Sequence, residues 1–103
     1  MDVEQHTESA EEAAAFLTLL ANAKRLAILS ELLEREMSVG AIAERVDLSQ
    51  SALSQHLAKL RASGLVRTRR DRQTIYYSCQ SESVRLLIST LESIYGPVIR
   101  QNG

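Results

Sequence analysis

The fold turns on the run Asp47-Leu48-Ser49-Gln50-Ser51-Ala52-Leu53-Ser54-Gln55-His56-Leu57-Ala58-Lys59-Leu60-Arg61-Ala62-Ser63-Gly64. Ser49 is a residue type that caps helix starts and Gly64 a type that closes helix ends, so the run predicts a helix over 50–63. At 100° per residue Leu53, Leu57 and Leu60 share one face, which has to be buried. Gln50, Ser51, Ser54, Gln55, Ala58 and Arg61 spread over the other side. Ordinary surface helices alternate Glu with Lys for solubility and i,i+4 pairing. Here no Asp or Glu occurs from Ser49 through Arg70. Small residues allow close approach to a surface, and Gln amides can bind base edges bidentately. A solvated surface helix is the plain alternative, and the absence of acids argues against it.

Upstream, Ser38 caps a short helix over 39–45 that turns Ile42, Ala43 and Val46 inward. Two short helices joined by a tight turn, the second polar at its start, form the pattern of a helix-turn-helix. Asn22 caps a further helix carrying Leu26, Ile28, Leu29, Leu32 and Leu33 and ending near Glu36, and Ala10–Ala21 reads as another. Downstream, 65–70 and 74–79 are β-branched or aromatic-rich runs joined by Asp71-Arg72-Gln73, which predicts a hairpin. Ser81 or Ser83 opens a last helix through Val84, Leu87, Ile88 and Leu91, stopped by Gly96-Pro97. The predicted class is mainly α with a β-hairpin, a winged helix-turn-helix in the order α-α-α-α-β-β-α. Residues 10–96 form the domain, between a flexible start over 1–9 and a tail over 97–103.

The length of 103 residues allows one hydrophobic core and no second domain. A single cysteine, Cys79, excludes a disulfide within one chain and points to a reducing compartment. The acidic start lacks the form of a secretory signal, and no apolar stretch approaches the roughly 20 residues of a membrane helix. These features predict a cytoplasmic protein.

A formal net charge of −1 seems to oppose nucleic-acid binding until the charges are placed. Residues 1–48 carry four cations against ten acids, whereas residues 49–80 carry six cations against Asp71 alone. The basic block spans the polar helix and the hairpin, and a local potential of that sign attracts phosphates. Gln50, Ser51, Ser54 and Gln55 are therefore candidates for base edges. Ser49, His56, Lys59, Arg61, Arg69, Arg70, Arg72 and Gln73 are candidates for the phosphate backbone or minor groove. The hairpin cations also serve to block strand-to-strand aggregation, and the two roles are compatible.

The runs 22–29 (Asn-Ala-Lys-Arg-Leu-Ala-Ile-Leu) and 48–57, with Gly64-Leu65-Val66, Arg69-Arg70 and Tyr76-Tyr77, resemble the ArsR/SmtB family of bacterial winged-helix repressors. The similarity runs from about Glu11 to Tyr95. Ser49 to Leu60, Thr68 to Ser78 and Ile94-Tyr95-Gly96 are especially similar to the rhizobial nodulation repressors of the NolR type. The resemblance implies a homodimer joined through the first and last helices, with the fourth helix of each subunit on a partly palindromic operator. Many wings of the family carry Gly at the tip where this chain has Arg72, which implies a wider turn.

The terminal helices point to dimerisation by themselves. Ala13, Phe16, Leu17 and Leu20 in the first, with Leu87, Leu91, Ile94 and Tyr95 in the last, offer more apolar surface than one small core needs. The alternative is that all of it packs internally. A metal sensor is not expected, because His6, His56 and Cys79 are the only soft ligands and, with His56 committed to the polar helix, too few remain for a zinc or arsenic site. No cofactor is expected either, and no nucleophile, base and orienter combine into an enzyme site. Two rivals stand beside the DNA-binding reading. One is a winged helix used only for protein contacts, and the other a redox-responsive repressor with a Cys79 bridge between subunits.

Overall fold

The computed structural model describes residues 3–97, with side chains from Ser9 onward. The elements are α1 (Val3–Leu20), α2 (Ala23–Glu34), β1 (Met37–Ser38), α3 (Val39–Val46), α4 (Gln50–Ala62), β2 (Arg67–Asp71), β3 (Thr74–Ser78) and α5 (Glu82–Tyr95). Four of the five helices begin at the cap residues read from the sequence. Asn22, Ser38, Ser49 and Ser81 each accept a backbone N–H three residues on, which satisfies one of the donors a helix start leaves unpaired. The first helix starts at Val3, earlier than the predicted Ala10, and runs through most of the stretch read as a flexible start. Of the predicted tail, residues 98–103 lie outside the described residues.

The end of α4 follows from Gly64. Its φ of 82° is the left-handed conformation that a Cβ disfavours. With Gly64 so placed, its N–H reaches Arg61 O at 2.9 Å and Leu65 N–H reaches Leu60 O at 3.0 Å. That pair of bonds is the Schellman closure, and it turns the chain out of α4 into the hairpin. The α3–α4 turn relies on Asp47, which holds φ 57° as the C-cap of α3, a conformation Asp tolerates better than most residues.

The core is aliphatic, as the shortage of aromatics requires. Ile28, Leu29 and Leu32 from α2, Ile42 and Val46 from α3, Leu53, Leu57 and Leu60 from α4, Val66, and Val84 and Ile88 from α5 are buried together. Leu20 also belongs to this core at 2% exposure, so its assignment to a dimer surface is corrected: the C-terminal turn of α1 docks on its own chain. Among the described residues, Phe16 and Leu19 of α1 also pack against this core.

The hairpin gained a third strand that the sequence did not announce. Met37 and Ser38 pair antiparallel with Tyr77 and Tyr76, giving a sheet in the order β1-β3-β2. Two residues are too few to show alternation, and they form a strand only because β3 offers its edge. β2 starts two residues later than the predicted run and extends one residue past it to Asp71, and β3 stops one residue short, leaving Leu65, Val66 and Cys79 outside the strands. Asp71 pairs with Thr74, so the connection is the two residues Arg72-Gln73 and not the wider turn expected. Arg72 accepts φ 61° instead, the positive first central angle of a type II′ turn, where Gly is usual.

Candidate nucleic-acid interface

The α4 wheel is realised as read. Leu53, Leu57 and Leu60 are at most 1% exposed, while Gln50, Ser51, Ser54, Gln55, Ala58, Lys59 and Arg61 all face solvent. Ser49 spends an acceptor position locally, its Oγ taking Ala52 N–H at 3.1 Å. The Gln50 amide lies over α3: a Cβ built on Gly40 would stand 3.8 Å from its Nε2, so the close approach of the helices does not itself exclude a larger residue there.

His56 sits apart from the other polar residues of α4. It is half-buried, and its Nδ1 accepts Arg25 Nε–H at 3.1 Å. Burial, with the Arg25 and Lys59 charges adding to it, pushes its pKa below the ordinary histidine value, which favours the neutral ring. With Nδ1 an acceptor, the ring proton belongs on Nε2. Arg25 also donates to Leu19 O at 2.9 Å, and Lys24 Nζ to Val46 O at 2.6 Å. Both α2 cations are thus engaged in joining α1, α3 and α4, a role that the sequence reading missed because it sorted cations by position along the chain. Glu31 and Arg45 make another such link, at 2.9 Å between α2 and α3, with the Glu31 side chain only 4% exposed.

The wing divides its cations by strand alternation. Arg67↔Ser78, Arg69↔Tyr76 and Asp71↔Thr74 share one sheet face, and Thr68↔Tyr77 and Arg70↔Ile75 the other. Tyr77 lines an open cleft of about 420 Å³ with Ser54, Leu57, Ala58, Arg61 and Ala62 of α4. Arg70 therefore belongs to the face turned toward the polar helix, and Arg69 to the opposite one. Arg69 Nε and Nη2 meet the two Glu36 carboxylate oxygens at 2.9 and 2.8 Å, and its guanidinium lies 4.8 Å from the Tyr76 ring centroid. Arg67 donates to Gln80 Oε1 at 3.3 Å. Among the described residues, Arg70, Arg72 and Gln73 are exposed without a side-chain hydrogen-bond partner.

At the far side, Leu17, Leu86, Ile94 and Tyr95 are 53 to 78% exposed, large apolar groups on the two terminal helices. Ala13 is exposed with them, while Phe16, Leu87 and Leu91 are half-buried. Cys79 is 3% exposed, and burial pushes its thiol pKa upward. A thiol so placed is poor in thiolate and closed to a partner sulfur. Among the described residues no three His, Cys, Asp or Glu side chains gather to hold a metal ion, and no single helix is long and apolar enough to cross a membrane.

Residues 22–68 match the bacterial regulatory proteins of the arsR family. The nodulation protein NolR of Rhizobium meliloti is 60% identical over 93 residues, covering 90% of this chain and 75% of that protein. The crystal structure of NolR from Sinorhizobium fredii superposes with a TM-score of 0.85 at 59% identity, covering 94% of this chain and 96% of that one. A homodimeric winged helix-turn-helix DNA-binding domain from Mycobacterium bovis superposes with a TM-score of 0.76 at 29% identity, covering 90% and 86% of the two chains.

Proposed function

The chain belongs to the arsR family of bacterial regulatory proteins, and from that premise we propose that it is a cytoplasmic repressor that binds partly palindromic operator DNA as a homodimer. The observation that carries the reading is the polar side of α4. It is exposed, free of acids, fixed from behind by three buried leucines, and flanked by a cation-bearing wing. Such a helix enters a major groove without repelling phosphates. In this reading Gln50, Ser51, Ser54 and Gln55 meet base edges, while Lys59, Arg61, Arg70, Arg72 and Gln73 meet the backbone or minor groove. Ser49 and His56 lie beside them at the helix start and on its inner edge. Replacing Gln55 by Ala lowers affinity for the cognate site by about 1 to 3 kcal/mol and relaxes preference at one base pair. Unchanged discrimination in a binding-site selection would remove Gln55 from the base-reading set.

Dimerisation through α1 and α5 is supported by what α1 lacks. Most helical stability in proteins comes from packing an amphipathic face, and among the described residues of α1 Ala13 and Leu17 stand exposed with Phe16 only half-buried. A second copy, covering Ala13, Phe16 and Leu17 of α1 with Leu87, Leu91, Ile94 and Tyr95 of α5, supplies the missing contacts. Leu17→Glu changes an exposed residue, so the subunit stays folded while sedimentation reports monomers. A dimer of undiminished stability sinks this assignment. No metal and no thiol chemistry enters the reading, since Cys79 is closed off. The relatives make nodulation genes the first promoters to examine, and mapping of bound sites in the genome decides whether they are the targets.

A further inference from the structure

One ion pair is left over once the groove-facing residues are assigned. Arg69 points away from the α4 side of the sheet, yet it is the most elaborately held cation in the wing. Its guanidinium crosses the Tyr76 ring of the central strand and ends in a two-point contact with Glu36, the residue just before β1. Edge strand β2 is thereby tied across β3 to the far edge of the sheet, since the order is β1-β3-β2. Planar, two-point arginine–carboxylate contacts fix orientation as well as distance, and stacking on a ring restricts the arginine further. The Glu36 carboxyl lies below the ordinary glutamate range because of Arg69, so the pair is fully ionised at neutral pH.

We propose that Glu36 is a positioning residue: through Arg69 and Tyr76 it straps the hairpin to the body and sets where Arg70 and Arg72 stand relative to α4, and Arg69 itself meets no phosphate. The proposal rests on the DNA-binding reading above for its consequence, but the strap is a property of the free protein. A carboxylate against the guanidinium neutralises its charge and would repel an approaching phosphate. Strand alternation places Arg69 on the wrong sheet face for the surface that α4 shares. The six cations of the basic block therefore do unlike work. Arg70 and Arg72 attract DNA, and Arg69 holds them in place.

The test combines amide hydrogen exchange of the free protein with the salt dependence of binding to a random-sequence duplex. Glu36→Gln and Arg69→Gln are each expected to speed exchange of the Arg70–Thr74 amides roughly two- to fivefold. Both lower affinity for the duplex roughly two- to fivefold, because Arg70 and Arg72 are less firmly placed, but leave the slope of log affinity against log salt as in the unsubstituted protein. Arg70→Gln does the reverse, flattening the slope by about 1.8, about 0.9 for each subunit of the dimer, with hairpin exchange unchanged. The charge swap Glu36→Arg with Arg69→Glu returns exchange toward the original rate. A flattened slope for Arg69→Gln overturns the proposal by making Arg69 a phosphate ligand. Unchanged exchange in both single variants overturns it by removing the strap. Failure of the unsubstituted protein to bind any duplex would count against the regulatory reading alone, because the exchange arm still decides whether the strap exists.

Discussion

The polar helix α4 and the wing hairpin come from one acid-poor stretch of sequence, yet they are built on opposite plans. In α4 the outward residues have few partners in their own chain, and rigidity comes from behind, through Leu53, Leu57 and Leu60 in the core. In the hairpin there is little buried apolar support, and rigidity comes from the exposed side, through Arg69 on Tyr76 and Glu36. A helix can hold a reading face still by packing its other face. A two-stranded ribbon cannot do so alone, so it uses β1 as a third strand and diverts one of its cations to bracing. Counting cations along the sequence thus misses that Arg69 of the wing is already engaged with Glu36 and Tyr76 in its own chain.

Three substitutions press on that contrast. The largest effect belongs to the packed side of α4: Leu53→Ala opens a cavity in the core and lowers unfolding free energy by about 3 kcal/mol, measured by denaturant titration. A loss under about 1 kcal/mol would mean that α4 is not held from behind. Ser49→Ala removes the cap on the same helix and costs about 1 kcal/mol, with base preference retained because the residues proposed to read bases are elsewhere. If preference relaxes instead, Ser49 reads DNA as well as capping. The smallest effect is at the ribbon tip, where Arg72→Gly relieves a left-handed arginine and raises stability by about 0.5 kcal/mol, the strain relieved exceeding the chain entropy that glycine adds. Destabilisation there would show that Arg72 makes a contact worth more than its strain.

Much of the site was legible because its determinants are local. The caps Asn22, Ser38, Ser49 and Ser81 bond within their own first turns, and the leucines of α4 repeat at helical spacing, so no distant residue had to be known. The strand β1, the engagement of Arg25 with His56 and that of Arg69 with Glu36 were not legible in this way. Each depends on a partner far along the chain: Met37 on Tyr77, Arg25 on His56 across 31 positions, Arg69 on Glu36 across 33. The tip turn was misread for a related reason. Two-residue pairing is imposed by the register of Asp71 with Thr74, and the strands override the preference of Arg72 for a negative φ.

By itself, then, the amino-acid order determined the five helices and the capped starts of four of them, the buried side of α4, the acid-free face opposite it and the hairpin that follows. Those are consequences of periodicity, capping and local charge, which act over a few residues. The tertiary structure alone decided which cations are available. An arginine's charge is the same in any sequence, but its use depends on what stands within hydrogen-bond reach, and in this fold that separates Arg69 from Arg70 although they are neighbours in the chain.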